Sequence, residues 1–311
     1  MGYSKWSNAA YLSTSQIYDG ASMDEIFTNN KLRKISPQMS PLNIKLRESL
    51  DSDSHPNSYS AITFLDVTGS MGSIPKKIVQ EKLGSIMNTL VDSNFPDIQI
   101  LFGAIGDHKV DSFPLQIGQF ENGAEELNRW LVESYIEGGG GGGNHESYLL
   151  AWYFASRFTT IDCFNKRNKK GIVITVGDER SHPKISGNSL KKIFGEKDNI
   201  PQEITDIELI KEVKERYEPF HIHVNTTGYK NNQETFSYWQ NLLGKNFVVL
   251  NDDSLVAETI SAIIGTYNSI PIETITRGFS ESTKNIVLQA IENIEKNVQD
   301  FEENPISSLI I

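Results

Sequence analysis

Three polar side chains spaced two residues apart, Asp66, Thr68 and Ser70, lie in the segment DVTGSMG. One carboxylate and two hydroxyls in a tight loop provide hard oxygen atoms, which are the ligands that Mg²⁺ and Mn²⁺ prefer. The glycines of the segment let the backbone turn sharply enough for the two hydroxyls to converge. In the alternative interpretation Asp66 caps the next helix and the hydroxyls only form a turn. The spacing predicts a cation-binding loop, with helix capping as the alternative.

Two further polar loops contain candidate oxygen ligands. Six glycines at residues 138–143 allow a close approach of backbone to a ligand, and Asn144 follows them as the candidate ligand, with Ser147 as the alternative. The run is not a phosphate-binding P-loop, because no Gly-Lys-Ser/Thr closes it. Asp178 follows the strand-like run GIVITV. An acidic residue at the end of a buried strand is costly unless it caps a helix or meets a cation.

The elements that must position these loops follow from the hydrophobic pattern. Strands that alternate with helices, and whose apolar runs are continuous, are typical of a mostly parallel sheet covered on both faces, which predicts a doubly wound α/β fold. Ligands of such sheets bind beyond the carboxyl ends of the strands, where Asp66 and Asp178 are expected. Pro114 places the third strand at an edge. The predicted strands are residues 61–65, 98–105, 112–120, 171–176, 220–225 and 247–250, and the predicted helices are a short one after Ser22 and residues 75–91, 124–135, 145–158, 206–217, 234–243 and 255–267.

Length and charge exclude several classes of function. The chain has 311 residues, with 29 basic and 40 acidic ones and a formal net charge of −11. This balance argues against an electrostatic grip on nucleic acid or on an anionic membrane. The single Cys163 excludes an intrachain disulfide and a cysteine-based zinc site. Because no apolar run is long enough for a signal peptide or a membrane span, we expect a cytoplasmic protein.

In these segments the sequence resembles the von Willebrand factor A (VWA) domain family. DVTGSMG resembles the DxSxS motif of the family's metal-ion-dependent adhesion site (MIDAS), with Thr68 in place of the first serine. GIVITVGDE resembles the family's strand and its acidic third loop. Three other segments, IGDH, GGGGGGNHES and GDERSHP, resemble the bacterial and kinase-linked branch. The resemblance covers roughly residues 58–268.

The resemblance implies a VWA-like domain at residues 58–268, an N-terminal extension at 1–57 and a C-terminal helical extension at 269–311. It further implies a binding module rather than an enzyme. In such a module Mg²⁺ or Mn²⁺ keeps an open position that a partner's Asp or Glu completes, and the partner would be a protein such as an ATPase, a kinase or a component of a defence complex. The family places a Thr or an Asp after its glycines, where this sequence has Asn144. The implied metal ligands are Asp66, Thr68, Ser70, Asn144 and Asp178.

The alternative function is a metal-dependent hydrolase, a phosphatase or nuclease, that uses the same cation. Two-metal hydrolysis needs several bridging carboxylates. The sequence supplies Asp66 and Asp178, with Glu179 or Asp107 as further possibilities. No GxSxG or HExxH motif is present. The sequence therefore favours the binding module.

The remaining histidines have structural interpretations. Asp107 and His108 follow a strand and are expected to form a satisfied loop pair, although they could lie near the cation loop. His182 either supports a turn or contacts a partner. His221 and His223 point to the same face of one strand and are expected to be core or surface residues.

The last part of the chain contains a short apolar seam. Val287, Ile291, Ile294, Val298 and Phe301 follow the 4-3-4-3 spacing of a coiled coil. Because the seam is barely two heptads long, packing against the parent domain is favoured over pairing with a partner helix.

Overall fold

A six-stranded, mostly parallel sheet forms the centre of the computed structural model, which describes residues 4–78, 82–137 and 143–294. The strands are β1 (Tyr59–Asp66), β2 (Ile98–Ile105), β3 (Leu115–Glu121), β4 (Gly171–Gly177), β5 (Tyr217–Val224) and β6 (Phe247–Leu250). Their order across the sheet is β6-β5-β4-β1-β2-β3, and only β3 runs antiparallel to its neighbour. The predicted α/β class with a mostly parallel sheet is confirmed.

Helices flank this sheet and connect its strands. In the part of the chain that the structure describes they are α1 (Asn8–Ser15), α2 (Met23–Ile26), α3 (Thr28–Leu32), α4 (Ile74–Lys77), α5 (Leu83–Asp92), α6 (Ala124–Val132), α7 (Leu149–Arg157), α8 (Asp162–Asn165), α9 (Gly187–Phe194), α10 (Asp206–Val213), α11 (Gln233–Leu243), α12 (Val256–Tyr267), α13 (Ile272–Ile275) and α14 (Glu281–Ile291). Three short strand pairs lie outside the sheet: Arg47–Ser49 with Thr159–Ile161, His145–Glu146 with Arg180–Ser181, and Lys184–Ser186 with Glu203–Thr205.

All six predicted strands are present, with bounds that differ from the prediction by at most three residues. Every residue of the inner strands β1, β2 and β4 is buried. Continuous apolar runs are typical of strands covered on both faces. The third strand lies at an edge of the sheet, as Pro114 predicts, and begins at the residue after it. The capping box at Ser22 is also confirmed, since the Glu25 carboxylate accepts a hydrogen bond from the Ser22 backbone N–H at 2.8 Å.

Two predicted helices are wrong in their bounds. The helix predicted over 145–158 begins only at Leu149, because His145–Glu146 is extended and pairs in parallel with Arg180–Ser181. The helix predicted over 206–217 ends at Val213, and Tyr217 is the first residue of β5. Of the helix predicted over 75–91 the structure describes α4 and α5, and residues 79–81 between them lie outside the described residues. The pairing with Arg180–Ser181 therefore determines the extended conformation at residue 145, although the apolar spacing favours a helix there.

One hydrophobic core extends from the N-terminal region to α14. It includes Tyr11 and Phe27 from the first 57 residues, together with the sheet and its helices. Val287, Ile291 and Ile294 of the predicted seam are buried in the same core, which supports packing against the parent domain. The other two seam residues, Val298 and Phe301, lie outside the described residues.

The paired histidines of β5 are core residues. The ring of His221 stacks on the Trp239 ring at a centroid distance of 3.6 Å, and His223 packs edge to face against Phe236 at 5.1 Å. Both histidines are fully buried. Burial lowers the pKa of His221 well below its ordinary value and that of His223 to about 4. Among the described residues, no helix combines the length and apolar character needed to cross a membrane.

Candidate functional site

The register of two neighbouring strands brings Asp66 and Asp178 to one edge of the sheet. Asp66 is the last residue of β1, and the preceding Leu65 pairs with Val176 of β4. Asp178 therefore follows directly beyond the end of the adjacent strand. The strand order also reverses here, since β2 and β4 lie on opposite sides of β1. In α/β sheets ligands bind in the crevice at such a point.

Four of the predicted ligands lie in one line of close polar contacts. Oδ1 of Asp66 accepts from the backbone N–H of Thr68 at 2.9 Å and from its hydroxyl at 2.6 Å. The hydroxyl oxygens of Thr68 and Ser70 lie 3.3 Å apart, and Ser70 donates to Oδ1 of Asp178 at 2.8 Å. A hydroxyl that donates its proton to a carboxylate keeps its lone pairs free. Both hydroxyls can therefore bind a cation without losing these hydrogen bonds.

Tyr148, which the sequence does not single out, contacts Asp66 from within the core. Its hydroxyl donates to Oδ2 of Asp66 at 2.8 Å, and the residue is fully buried. The tyrosine reaches Asp66 across Gly177, where a Cβ atom would overlap the Tyr148 hydroxyl. Gly177 is therefore needed for close approach, as glycine often is at such a crossing. The sequence predicts a helix from residue 145, whereas Tyr148 precedes the helix that begins at Leu149, so the prediction does not indicate this contact.

Neither second-loop candidate makes a described hydrogen bond with these four residues. The Asn144 side chain is half-buried and makes no hydrogen bond with the described residues, while its carbonyl accepts from the Arg180 backbone N–H at 3.4 Å. Ser147 is directed elsewhere: its hydroxyl lies 2.7 Å from Nδ1 of His108. The strand pairing at residues 145–146 sets these directions. Assignment of Asn144 as a metal ligand stays a prediction.

Two glutamates complete an acidic cluster that the spacing of the first loop does not reveal. Glu146 and Glu179 are 5% and 7% exposed, which is unusual for glutamate. Oε2 of Glu146 and Oδ2 of Asp178 are buried and make no hydrogen bond. Burial raises the pKa of Asp178, and the nearby hydroxyls of Thr227 and Ser70 oppose that shift. Each orphaned oxygen is costly unless something binds it.

The four carboxyls of this acidic cluster, Asp66, Glu146, Asp178 and Glu179, have raised pKa values. Burial, and then Asp178, raise the pKa of Asp66; burial, Asp66 and Glu179 raise that of Glu146. Burial, Asp178 and Asp66 raise the pKa of Glu179 to about 8, and burial raises that of Asp178. No lysine, arginine or histidine of the described chain forms an ion pair with any of these four carboxyls. Buried charges require a partner of opposite sign, so a cation fits this donor set.

A second polar cluster lies on the neighbouring loops. Oδ1 of Asp107 is 2.7 Å from Nε2 of His182, and the His108 and His182 rings meet edge to face at 4.7 Å. Burial, and then His182, lower the pKa of His108 to about 4. Burial raises the pKa of Asp107, but the hydrogen bond from His182 and the Lys109 backbone N–H together bring it below its ordinary value. The expected Asp107–His108 loop pair is thus joined by His182.

Comparisons with known proteins give a distant likeness only. No family model matches the sequence, and no curated protein matches it. Similar solved structures include the pilus adhesin SpaC from Lactobacillus rhamnosus GG in its open conformation, with 9% identity, a TM-score of 0.40, and coverage of 79% of this chain and 31% of that one. A second structure of the same adhesin gives 9% identity, a TM-score of 0.39, and coverage of 79% and 32%. The chain spans about a third of the adhesin's length, and a likeness at this level assigns the chain to no family.

Proposed function

We propose that the chain is a doubly wound, VWA-like domain that binds Mg²⁺, or Mn²⁺, at the ends of β1 and β4 and uses the ion to bind a protein partner. The observation that carries this proposal is a set of buried carboxyls without a cationic partner, in which Asp178 Oδ2 and Glu146 Oε2 make no hydrogen bond. The reversal of strand order beside Asp66 supports the doubly wound fold.

Asp66, Thr68, Ser70 and Asp178 would hold the ion. All four supply hard oxygen atoms, and Mg²⁺ commonly binds one or two carboxylates while it keeps several waters. The resemblance adds Asn144 from the second loop. Glu146 competes with Asn144 for this role, because its free oxygen is buried and its carboxylate would add the charge that an amide lacks.

The exposed side of the site indicates how a partner would reach the ion. Asp66 and Asp178 are fully buried, whereas Ser70 is half-buried and Gly69 is exposed. An open coordination position of the ion would then face solvent beside Ser70. A carboxylate from an Asp or Glu of the partner would enter there. Because the chain has a net charge of −11, attraction of an acidic partner would depend on the local positive charge of the ion.

The experiment compares partner binding with and without the ion. The immobilised full chain should capture its partner in Mg²⁺ and release it in EDTA, and replacing the partner's contacting Asp or Glu by Asn or Gln should have the same effect. A charge-assisted contact of this kind is worth about 2–5 kcal/mol, by analogy with buried interfacial charge pairs. Its loss weakens binding by roughly one and a half to three and a half decades.

Variants of the hydroxyl ligands sharpen this test. Thr68→Ala and Ser70→Ala should weaken partner binding. The matched control is Thr276→Ala, because the buried Thr276 hydroxyl donates only to the Ile272 carbonyl at 2.9 Å. A partner that binds equally well in EDTA, and to the Ser70→Ala variant, would refute the proposal.

One observation favours a second candidate, a metal-dependent phosphatase or nuclease. The sequence supplies few carboxylates for hydrolysis, but the fold adds Glu146 and brings Glu179 close enough for Asp66 to add to the effect of burial in raising the pKa of both. Carboxylates that bridge two ions are what two-metal hydrolysis requires. Mg²⁺-dependent cleavage of a phosphoester that disappears in Asp66→Ala would favour the hydrolase. The binding proposal expects no such activity.

A further inference from the structure

A cluster of two imidazoles and one carboxyl lies beside the carboxylate site and takes no part in it. Asp107 and His108 follow the end of β2, and His182 follows the short extended segment after β4. These two strands flank β1, so the fold brings their loops to the same edge of the sheet from opposite sides. The described hydrogen bonds of the three side chains join them to one another, to Ser147 and to the Lys109 backbone N–H, and none reaches Asp66 or Asp178.

The distances within the cluster suit a shared ion. Oδ1 of Asp107 lies 2.7 Å from Nε2 of His182 and 3.8 Å from Nδ1 of His108. One ligand atom from each of the three residues lies within 4.8 Å of the others. Nitrogen and oxygen atoms bound to one Zn²⁺ at about 2.0–2.2 Å are roughly 3–3.5 Å apart. An adjustment of about an ångström would place all three on one ion.

Surrounding residues hold the three ligands in place. The side chains of Asp107, His108 and His182 are 11%, 6% and 5% exposed. The Ser147 hydroxyl oxygen accepts a hydrogen bond from the His108 backbone N–H at 2.8 Å and also lies 2.7 Å from Nδ1, where the ion would replace this second contact. The Lys109 backbone N–H donates to Oδ1 of Asp107 at 3.0 Å. The His145 ring stacks on the His182 ring at 5.3 Å. Hydrogen bonds and packing of this kind orient metal ligands before the ion binds.

We propose that Asp107, His108 and His182 bind one divalent transition ion of the Zn²⁺ class, at a site separate from the hard-cation site of Asp66 and Asp178. Imidazole ligands select Zn²⁺, Fe²⁺, Ni²⁺ or Cu²⁺ over Mg²⁺, whereas the carboxylate and hydroxyl set has the opposite preference. Three protein ligands leave room for water on the ion. The bound ion would tie the loop after β2 to the segment that follows Asp178.

The test is a calorimetric titration of ZnCl₂ into the full chain, stripped with EDTA and then saturated with Mg²⁺ to occupy the hard-oxygen site. We expect one equivalent of Zn²⁺ to bind to the wild-type chain and to Asp66→Ala. Ser147→Ala removes a supporting residue and should weaken Zn²⁺ binding by roughly 10–100-fold. His182→Gln and Asp107→Asn each remove a ligand and should weaken Zn²⁺ binding by more than that. The matched control is His55→Gln, because His55 is an equally buried histidine beside the carboxylate of Asp97, at 3.5 Å, and should leave Zn²⁺ binding unchanged.

Circular dichroism of each variant shows whether it folds, and the Co²⁺-loaded wild-type chain provides a test that needs no variant. Co²⁺ bound to histidine nitrogens in a protein should give visible absorption bands that Zn²⁺ displaces. Zn²⁺ binding that survives in folded His182→Gln and Asp107→Asn would overturn the proposal, as would loss of Zn²⁺ binding in Asp66→Ala. Absence of any stoichiometric Zn²⁺ binding or Co²⁺ bands would overturn it too, and would leave the Mg²⁺ proposal untouched.

Discussion

Replacing Asp178 by asparagine should stabilise the metal-free chain and destabilise the metal-loaded one. Asp178 is fully buried, and its Oδ2 makes no hydrogen bond. Asparagine keeps an oxygen that can accept the hydrogen bond from Ser70 and removes the charge. The variant therefore separates the repulsion within the empty site from the attraction that an ion would provide.

The magnitude follows from the contacts between the two aspartates. Polar contacts of 2.6, 3.3 and 2.8 Å link Oδ1 of Asp66 through the Thr68 and Ser70 hydroxyls to Oδ1 of Asp178. These oxygens are therefore no more than about 9 Å apart, and two unit charges at that distance repel by about 2 kcal/mol at an effective dielectric constant of about 20. A shorter separation increases the repulsion. In EDTA at pH 8.5, the free energy of unfolding of Asp178→Asn should thus exceed that of the wild-type chain by about 2 kcal/mol or more.

Mg²⁺ should reverse this order. An ion at 1,000 times its dissociation constant stabilises the folded wild-type chain by about 4 kcal/mol. The variant should gain little from the ion, so the wild-type chain becomes the more stable by about 2 kcal/mol. The assay is urea unfolding of both proteins, in EDTA and in Mg²⁺, at a fixed pH.

Asp206→Asn provides the matched control. Asp206 is also buried, but its carboxylate accepts hydrogen bonds from the Tyr238 hydroxyl at 2.6 Å and the Ile207 backbone N–H at 2.7 Å, at the start of α10. Its replacement should destabilise the chain equally with and without Mg²⁺, because the lost contacts do not involve the ion. If Asp178→Asn behaves like Asp206→Asn, the repulsion argument is wrong.

Three further substitutions test the surroundings of the site. Tyr148→Phe removes the donor to Oδ2 of Asp66 and should cost about 1–3 kcal/mol in urea unfolding, and an unchanged midpoint would contradict that hydrogen bond. Burial lowers the pKa of His223 to about 4, so the neutral, buried ring stabilises the fold fully above about pH 6.5 and this stabilisation is lost as the pH falls towards 4. In His223→Phe the free energy of unfolding should therefore fall by roughly 3 kcal/mol less over this pH range than in the wild-type chain, as measured by urea unfolding at each pH. Glu146→Gln should weaken Mg²⁺ binding by calorimetry more than Asn144→Ala does, and the opposite ranking would assign the second-loop ligand to Asn144.

Local sequence is sufficient to predict the sheet and half of the site. The runs at residues 98–105 and 247–250 predict β2 and β6 with their observed bounds, because continuous apolar segments of that length fit only buried elements. The first loop is equally predictable, since Asp66, Thr68 and Ser70 lie within five residues of one another. Asp178 follows from the rule that parallel strands end at the same edge.

The remaining features depend on contacts between distant segments. His145–Glu146 becomes a strand because it meets Arg180–Ser181, and no periodicity in either segment reveals that pairing. The role of Tyr148 follows from this change of conformation. Likewise, the hydrogen bond between Asp107 and His182 joins residues 75 positions apart. Only the fold shows that these side chains share one cluster.

The central claim, that a hard divalent cation binds between Asp66 and Asp178, is tested most directly by calorimetric titration of Mg²⁺ into the EDTA-treated full chain and its Asp66→Ala variant. We expect one Mg²⁺ to bind to the wild-type chain and none to the variant, because the substitution removes the carboxylate on which the Thr68 hydroxyl is oriented. The circular dichroism spectrum of the variant should match that of the wild-type chain. An undiminished Mg²⁺ isotherm in folded Asp66→Ala, or no Mg²⁺ or Mn²⁺ binding by the wild-type chain, would contradict the claim.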